Sequence, residues 1–470
     1  MEKSPKTFSN RIVCLLRETT VEPFIFFTAL GLFTTMLPLQ SLLMDRACRN
    51  MLMYNETICD ELDHHKEVQE KSIEIGNNVY TWVMLTTSLP SCVIAVFVGP
   101  WSDKYSRKIP LIIGVSGLLT ESIVMLLLTF SQGAPPTVYI GVAAISGVSG
   151  GILVCFSISN SYLSDVTDER SRPTRYAIMS CCLIAATVLG NVIGGQLFAS
   201  YGYVAVLSIS PCFYVCALIY AVLALKETIT PHEKNRLGIL FDFFTFENIK
   251  ESYRTCVRKR SGNLRLQIWL LIFVDTCSKF VELGNMGIQF AFLKHVFKMG
   301  VEDSSNANII FSVCNALGTI LVVPILIEKL RLHEAALGLI GILSFMSRMV
   351  LTSVSDSPTF FYLAMVSGSL FNCSTIAVSS RLSKLVNKEE LGKAFSLLWM
   401  FSTLAPMLGT AVFLQIYNAS LNSFPGLVFV LASIFLCPSA IVFGWMMKLP
   451  TISVGEFARE EKVENTLTAF

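Results

Sequence analysis

Asp275, Lys279 and Glu282 lie inside one long apolar run, residues 267–293. Offsets of four and three residues put all three on one face of a helix. An ionisable group in a membrane span costs at least about 2.5–3.5 kcal/mol on insertion scales, so its presence points first to function. That face must look at protein interior or at water. Two acids with one base leave one positive charge missing, to be supplied by a bound proton, a cation or a base elsewhere in the chain. Burial raises the pKa of an acid and an adjacent Lys lowers it again, which allows titration near neutrality. Two readings stand: acids that gain and lose protons as a cavity opens, or a self-neutralised ion-pair ladder that only fixes helix packing.

Glu121 stands about halfway along another apolar run, 109–130, with no charge within eight residues. An isolated carboxyl there is protonated or paired, hence a proton site or a neutral acid hydrogen-bonded to a neighbouring helix. Arg348, in run 335–354, either snorkels outward or serves as the cation for an anionic substrate or for the 267–293 run. Asn160, Asn191, Gln289, Asn315 and Asn372 are further polar residues in apolar runs, with no orientation set by the sequence.

The elements that must position these groups are helices. The 470 residues are 53% hydrophobic and 15% charged, against roughly 25% charged for a soluble domain. Apolar runs of the length needed to cross a bilayer, about 20 residues, recur twelve times: 21–44, 79–98, 109–130, 138–163, 176–198, 204–225, 267–293, 307–327, 335–354, 359–380, 394–417 and 425–447. None alternates polar and apolar residues as a barrel strand would. The expected fold is an all-α membrane protein of twelve transmembrane helices in two six-helix halves. With the N-terminus inside, inside segments hold 28 of the 36 Lys and Arg residues, outside segments hold six, and two lie in spans. The sequons Asn55-Glu56-Thr57 and Asn418-Ala419-Ser420 then fall outside as glycosylation candidates.

The expected organisation is a cytoplasmic tail 1–20, a first half 21–225 with an outside loop 45–78, a cytoplasmic linker 226–265, a second half 266–447 and a cytoplasmic tail 448–470. The basic first twenty residues read as a tail and not as a cleaved signal peptide. Gly147, Gly150, Gly151, Gly190, Gly194 and Gly195 have the spacing that lets membrane helices approach closely. Most of the 14 cysteines lie in apolar runs and act as small hydrophobes. Cys48 and Cys59 are the exception, in an outside loop where a disulfide can form. His64 and His65 in that loop read as solvated side chains, with pH sensing as the alternative. No P-loop, H-E-x-x-H or Ser/His/Asp set is present, so an enzyme is not expected, nor a cofactor or a metal. The basic residues are spread over inside loops, which gives no nucleic-acid surface. The partners expected are a small-molecule substrate, protons and the lipid bilayer.

The ten residues Gly99-Pro100-Trp101-Ser102-Asp103-Lys104-Tyr105-Ser106-Arg107-Lys108, between the second and third runs, carry a further signal. They resemble the G-x-x-x-D-(R/K)-x-G-(R/K)-(R/K) loop of major facilitator superfamily transporters, with Ser106 where that family usually has Gly. Bases here can pair with acids at neighbouring helix ends, and Asp103 can face a helix N-terminus. The resemblance implies an inner gate of Asp103, Arg107 and Lys108. The segment from Asp165 to Arg172 and Lys226-Glu227-Thr228 resemble further signatures at their places, which adds Asp165 and Arg172 to the gate.

Within that superfamily the chain resembles solute carrier family 46, from Val21-Glu22-Pro23 through the segment Arg381 to Ser396, Ile416-Tyr417-Asn418-Ala419-Ser420-Leu421 and Phe424-Pro425-Gly426. The resemblance implies proton-driven uptake or lysosomal export of amphipathic organic anions, at the plasma membrane or a lysosomal or endosomal membrane. By position, a proton-linked Glu of the folate carrier falls at Ser180, a His near Lys279 and an Arg near Ser379, with Arg381 two residues on. The cysteine that bridges to the first loop in that family is absent from 295–308. What carries over is the fold and the transport class, with the substrate left open. The rival readings are a facilitator without proton coupling and a non-transporting receptor or scaffold on the same fold.

Overall fold

The computed structural model describes residues 20–62, 65–131, 133–167, 172–229, 263–322, 325–326, 332–386, 391–421 and 423–449. The rest of both tails and of the linker, together with His64, lies outside the described residues. Among the described residues each of the twelve apolar runs falls on helix. Eight helical stretches among the described residues are long and apolar enough to cross a membrane, and one of them, Ile178–Leu223, is 46 residues long and spans most of two runs.

The N-terminal part contains α1 (Glu22–Arg46), α2 (Glu56–Asp60), α3 (Lys66–Lys104), α4 (Lys108–Phe130), α5 (Val138–Ser149), α6 (Gly151–Val166) and α7 (Arg172–Leu223). The fourth run is broken into α5 and α6 at Gly150, whose φ of 83° is left-handed and open to glycine at little cost. Inside α7 the backbone leaves helical geometry at Gly202 (φ 72°, ψ −163°), which separates the fifth and sixth runs.

The C-terminal part contains α8 (Leu264–Gly284), α9 (Met286–Phe297), α10 (Val301–Leu317), α11 (Glu334–Ser353), α12 (Pro358–Ser367), α13 (Asn372–Leu385), α14 (Leu391–Ser420) and α15 (Leu427–Met446). The seventh run is broken at Asn285, between α8 and α9, and the tenth at 368–371, between α12 and α13. Starts are set locally. Ser357 accepts from the Phe360 N–H and Pro358 follows it, the usual N-cap arrangement for α12. His333 Nδ1 accepts from the Ala335 N–H at the start of α11.

The chain divides into two compact units, Met1–Leu39 with Thr86–Phe244, and Gln40–Leu85 with Thr245–Phe470. In the first unit, Val21, Phe24, Leu111, Val115, Ile158 and Tyr214 are buried in one apolar core. Gly190 faces Phe33, and Gly194 faces the Thr34 backbone, so α1 and α7 approach closely there. In the second unit α8 and α14 meet at Gly284 and Gly409, where a Cβ on Gly284 would lie 2.7 Å from the Gly409 carbonyl carbon. The second unit therefore includes residues 40–85, which by sequence belong to the first six-run half.

Candidate functional site

In the second unit α8 carries the three charged residues, and the structure separates their roles. Lys279 Nζ pairs with Glu282 Oε2 at 2.7 Å, one helical turn away. Asp275 is buried and accepts a hydrogen bond from the Ser402 hydroxyl of α14. Lys279 also lies 5.6 Å from the centre of the Phe371 ring, at the break between α12 and α13. Phe371 stacks on Phe345 with 4.4 Å between ring centres.

Arg348 of α11 completes this cluster. It does not snorkel: it is only 5% exposed, with its guanidinium 3.9 Å over the Phe311 ring and 5.9 Å from Phe345. Its Nη2 donates to Gln289 Oε1 at 3.0 Å, and Gln289 Nε2 donates to Asn308 Oδ1 at 2.9 Å. Glu282 acts on Arg348 electrostatically. A second base, from another helix, thus lies in electrostatic range of the seventh run's Glu282 without forming an ion pair with it. Asn372 donates to Thr319 at 3.1 Å, and the Thr319 hydroxyl donates to the Asn315 carbonyl at 2.8 Å.

In the first unit Glu121 of α4 lies beside the break of the fourth run. Ser146 of α5 is its hydrogen-bonding neighbour, and Tyr214 of α7 is in electrostatic range. Among the described residues no cation pairs with Glu121. Asn160 and Asn191 each donate back to a carbonyl of their own helix, at 2.8 Å.

The motif between α3 and α4 forms a compact network in the same unit. Arg107 Nε pairs with Asp165 Oδ2 of α6 at 2.8 Å, and its Nη1 donates to Ser102 Oγ at 2.7 Å. Glu227 accepts from the Arg107 backbone N–H at 2.9 Å and from the Ser106 hydroxyl. Ser106 also accepts from the Ile109 N–H at 3.1 Å, so the residue that departs from the family glycine ties the start of α4 to Glu227. Lys108 Nζ caps the Val222 carbonyl at 2.7 Å, as a cation at a helix C-terminus should. The side chains of Asp103 and Arg172 lie outside the described residues.

Two buried groups have partners that sequence reasoning did not supply. Glu22 and Arg175 pair at 2.8 Å, both nearly inaccessible, with Thr20 bonded to each. Arg381 is fully buried and donates through Nε and Nη2 to Gln267 Oε1, at 3.1 and 2.8 Å. A charge at the very start of an apolar run was the available signal for Glu22; nothing local marks Arg175 as its partner or Gln267 as the acceptor for Arg381. Around the 45–78 segment, Cys48 is joined to Cys59, and Asn55 is exposed at the start of α2. Arg49 binds Asp45 at 3.0 Å and also Asp60. Among the described residues no His, Cys, Asp and Glu cluster could hold a metal ion.

Helical spans broken beside ionisable side chains, with a charged network at one set of helix ends, define a membrane carrier. The family model of the major facilitator superfamily matches residues 23–410. A similar relative is the probable peptidoglycan muropeptide transporter SLC46 of Drosophila melanogaster, 22% identical over 90% of this chain and 83% of the relative. The proton-coupled folate transporter of Rattus norvegicus is 23% identical over 76% of this chain and 75% of its own. Among solved structures, the human organic anion transporter MFSD10 (TETRAN) superposes with a TM-score of 0.64, at 15% identity, over 93% of this chain and 100% of that one. The chain belongs to the major facilitator superfamily, and the relatives it is similar to include members of solute carrier family 46. It is a secondary-active transporter of a small organic solute.

Proposed function

We propose that this carrier moves an organic anion together with protons by alternating access, and that Glu121 takes the coupling proton. One observation carries the assignment. The acids of the seventh run are matched, Glu282 by Lys279 and Asp275 by Ser402 and Lys279. Glu121 faces no cation among the described residues, and a lone carboxylate in a span is costly unless a proton or a partner arrives. Asp275, Lys279, Glu282 and Arg348 then form the charged cluster of the second unit along the transport path. Arg107, Asp165 and Lys108, with Asp103 and Arg172, form the inner gate, which must loosen for the carrier to open inward. Both termini are cytoplasmic on this reading, and the membrane is the plasma membrane or that of a lysosome or endosome.

The test is transport by proteoliposomes carrying the purified protein, loaded with labelled folic acid, a steroid sulfate or a muropeptide. Glu121→Gln should abolish accumulation driven by a pH gradient, by about tenfold or more, and should leave counterflow exchange intact. Undiminished gradient-driven accumulation in that variant would remove Glu121 from coupling.

The balanced charges of the second-unit cluster favour one alternative, a facilitator in which α8 is a structural ladder. That reading requires transport by the native protein to be indifferent to the pH gradient.

A further inference from the structure

Arg348 is held in a way that an ion-pairing residue would not be. Its one bonded side-chain partner in the cluster is the neutral Gln289, whose amide is in turn fixed by Asn308. Among the described residues the Nε–H of this buried guanidinium has no hydrogen-bond acceptor, an exception that calls for a missing partner. Lys279, by contrast, is engaged by Glu282 at 2.7 Å. The aromatic faces of Phe311 and Phe345 suit a flat, weakly hydrated cation. Gly368 makes the room: a Cβ there would lie 2.7 Å from Arg348 Cδ.

An internal repeat places Arg348 independently. In the first unit Gly114 of α4 packs on the Gly151 carbonyl, 3.2 Å from where its Cβ would be, at the break of the fourth run. In the second unit Gly341 of α11 packs on the Phe371 carbonyl, 3.1 Å from its Cβ position, at the break of the tenth run. One turn on from each glycine, a small residue meets the same break. Gly117 faces Ser149, while Ser344 donates to the Ser367 carbonyl at 2.6 Å and accepts from the Leu370 N–H at 3.2 Å. Glu121 follows Gly114 by seven residues, as Arg348 follows Gly341 by seven. The third span of each half therefore carries an ionisable residue at one register, beside a broken fourth span. Interrupted spans in corresponding positions of two halves mark where a carrier binds its cargo.

We infer that Arg348 is the specificity-determining residue that receives the anionic oxygen of the substrate on its free Nε–H edge, with Gln289 and Asn308 as positioning residues. Lys279 instead is engaged by Glu282 and faces Asp275, and it does not select the substrate's charge. The inference rests on the carrier reading and deepens it.

The experiment compares carboxylate with methyl ester. Purified protein in detergent is titrated with folic acid or with its dimethyl ester, and with a steroid sulfate or its parent alcohol, following the ligand-induced rise in thermal unfolding temperature. Counterflow of the labelled acids in proteoliposomes gives KM and maximal rate. The native protein should favour the charged form by about tenfold to a hundredfold. Arg348→Gln should lose that preference and Arg348→Lys should recover part of it. Gln289→Ala and Asn308→Ala should raise KM for the acid with the maximal rate retained, which keeps the inference testable if Arg348→Gln fails to fold. The double variant Lys279→Gln/Glu282→Gln should keep the preference. Retained preference in Arg348→Gln, unchanged KM in both amide variants, or loss of preference in the double variant would overturn it. A native protein that neither shifts nor transports any of these anions would overturn the carrier reading as well, which separates the two failures.

Discussion

Glu227 shows how much one carboxylate can be asked to hold. It receives the Ser106 hydroxyl and the backbone N–H groups of Arg107, Thr228 and Ile229, the last three at 2.9, 3.1 and 3.4 Å. Burial pushes its pKa up, but these four donors outweigh burial and hold it below the usual carboxylate range. A group whose pKa is depressed by folding contributes stability that is present above its unfolded value and lost as pH falls through the folded one. Between pH 5.5 and 7.5 Glu227 therefore stays charged, and the network around Arg107 does not respond to acidity through it. Glu227→Gln should raise the rate at which an introduced cysteine near Ser106 reacts from the inner side. The pH profile of uptake should keep its shape. A displaced profile would place a titrating group in the gate and weaken the assignment of coupling to Glu121. Ser106 belongs to this argument, since a glycine at that position would remove one donor from Glu227 and the acceptor for the Ile109 N–H.

The crossing of α8 and α14 at Gly284 and Gly409 sets where Asp275 can reach Ser402. A Cβ on Gly409 would collide with the Phe280 carbonyl and come within 3.2 Å of the Gly284 Cα. Gly409→Ala should force the helices apart and destabilise the second unit by about 1–3 kcal/mol, read as a lower unfolding temperature of the purified carrier. Gly141→Ala, which meets open space, should be close to neutral. At this scale the sequence was readable in part. The apolar runs announced the helices, and the rarity of charge inside them announced Asp275, Lys279, Glu282, Glu121 and Arg348. Hidden were the breaks at Gly150, Asn285 and 368–371, because one irregular peptide unit does not interrupt an apolar pattern. Hidden too were the pairings: Ser402 is an ordinary span residue, and Gln289 stands out only as polar, until the packing of helices remote in sequence brings them to Asp275 and Arg348. The pairing of Glu22 with Arg175 depends on the same long-range packing, which no local spacing encodes.

An alternating-access carrier needs closures that are strong together and weak singly, and the second unit contains one made of amides. Gln40 donates to the Gly287 carbonyl at 2.6 Å and to Asn77 at 3.3 Å. Asn77 donates to Asn418 Oδ1 at 3.1 Å, Asn418 donates to Asn78 Oδ1 at 3.3 Å, and Gln415 donates to Asn78 at 2.8 Å. Lys298 adds a bond to Gln69. The donors and acceptors of residues 40–85 are thereby tied to α9 and α14, although by sequence they belong to the first half. Each neutral bond contributes about 0.5–1.5 kcal/mol net, so the set holds firmly yet can be exchanged for water. Being uncharged in its amide part, it is insensitive to salt, unlike the Arg107 network. The same geometry bears on modification. Asn418 lies within α14 with both ends of its amide engaged, and the sequon's Ser420 is buried with its hydroxyl turned to the Tyr417 carbonyl at 3.3 Å. Asn55 and Thr57 are exposed. Glycosidase treatment should therefore shift the native protein by one glycan. Asn55→Gln should abolish that shift, and Asn418→Gln should leave it unchanged. Asn77→Ala, which removes the bonds to both Gln40 and Asn418, should increase labelling of an introduced cysteine at Gly287 from the outer side several-fold. A second glycan at Asn418 would mean that this residue never joins the amide closure, and unchanged labelling in Asn77→Ala would mean that the closure does not govern access.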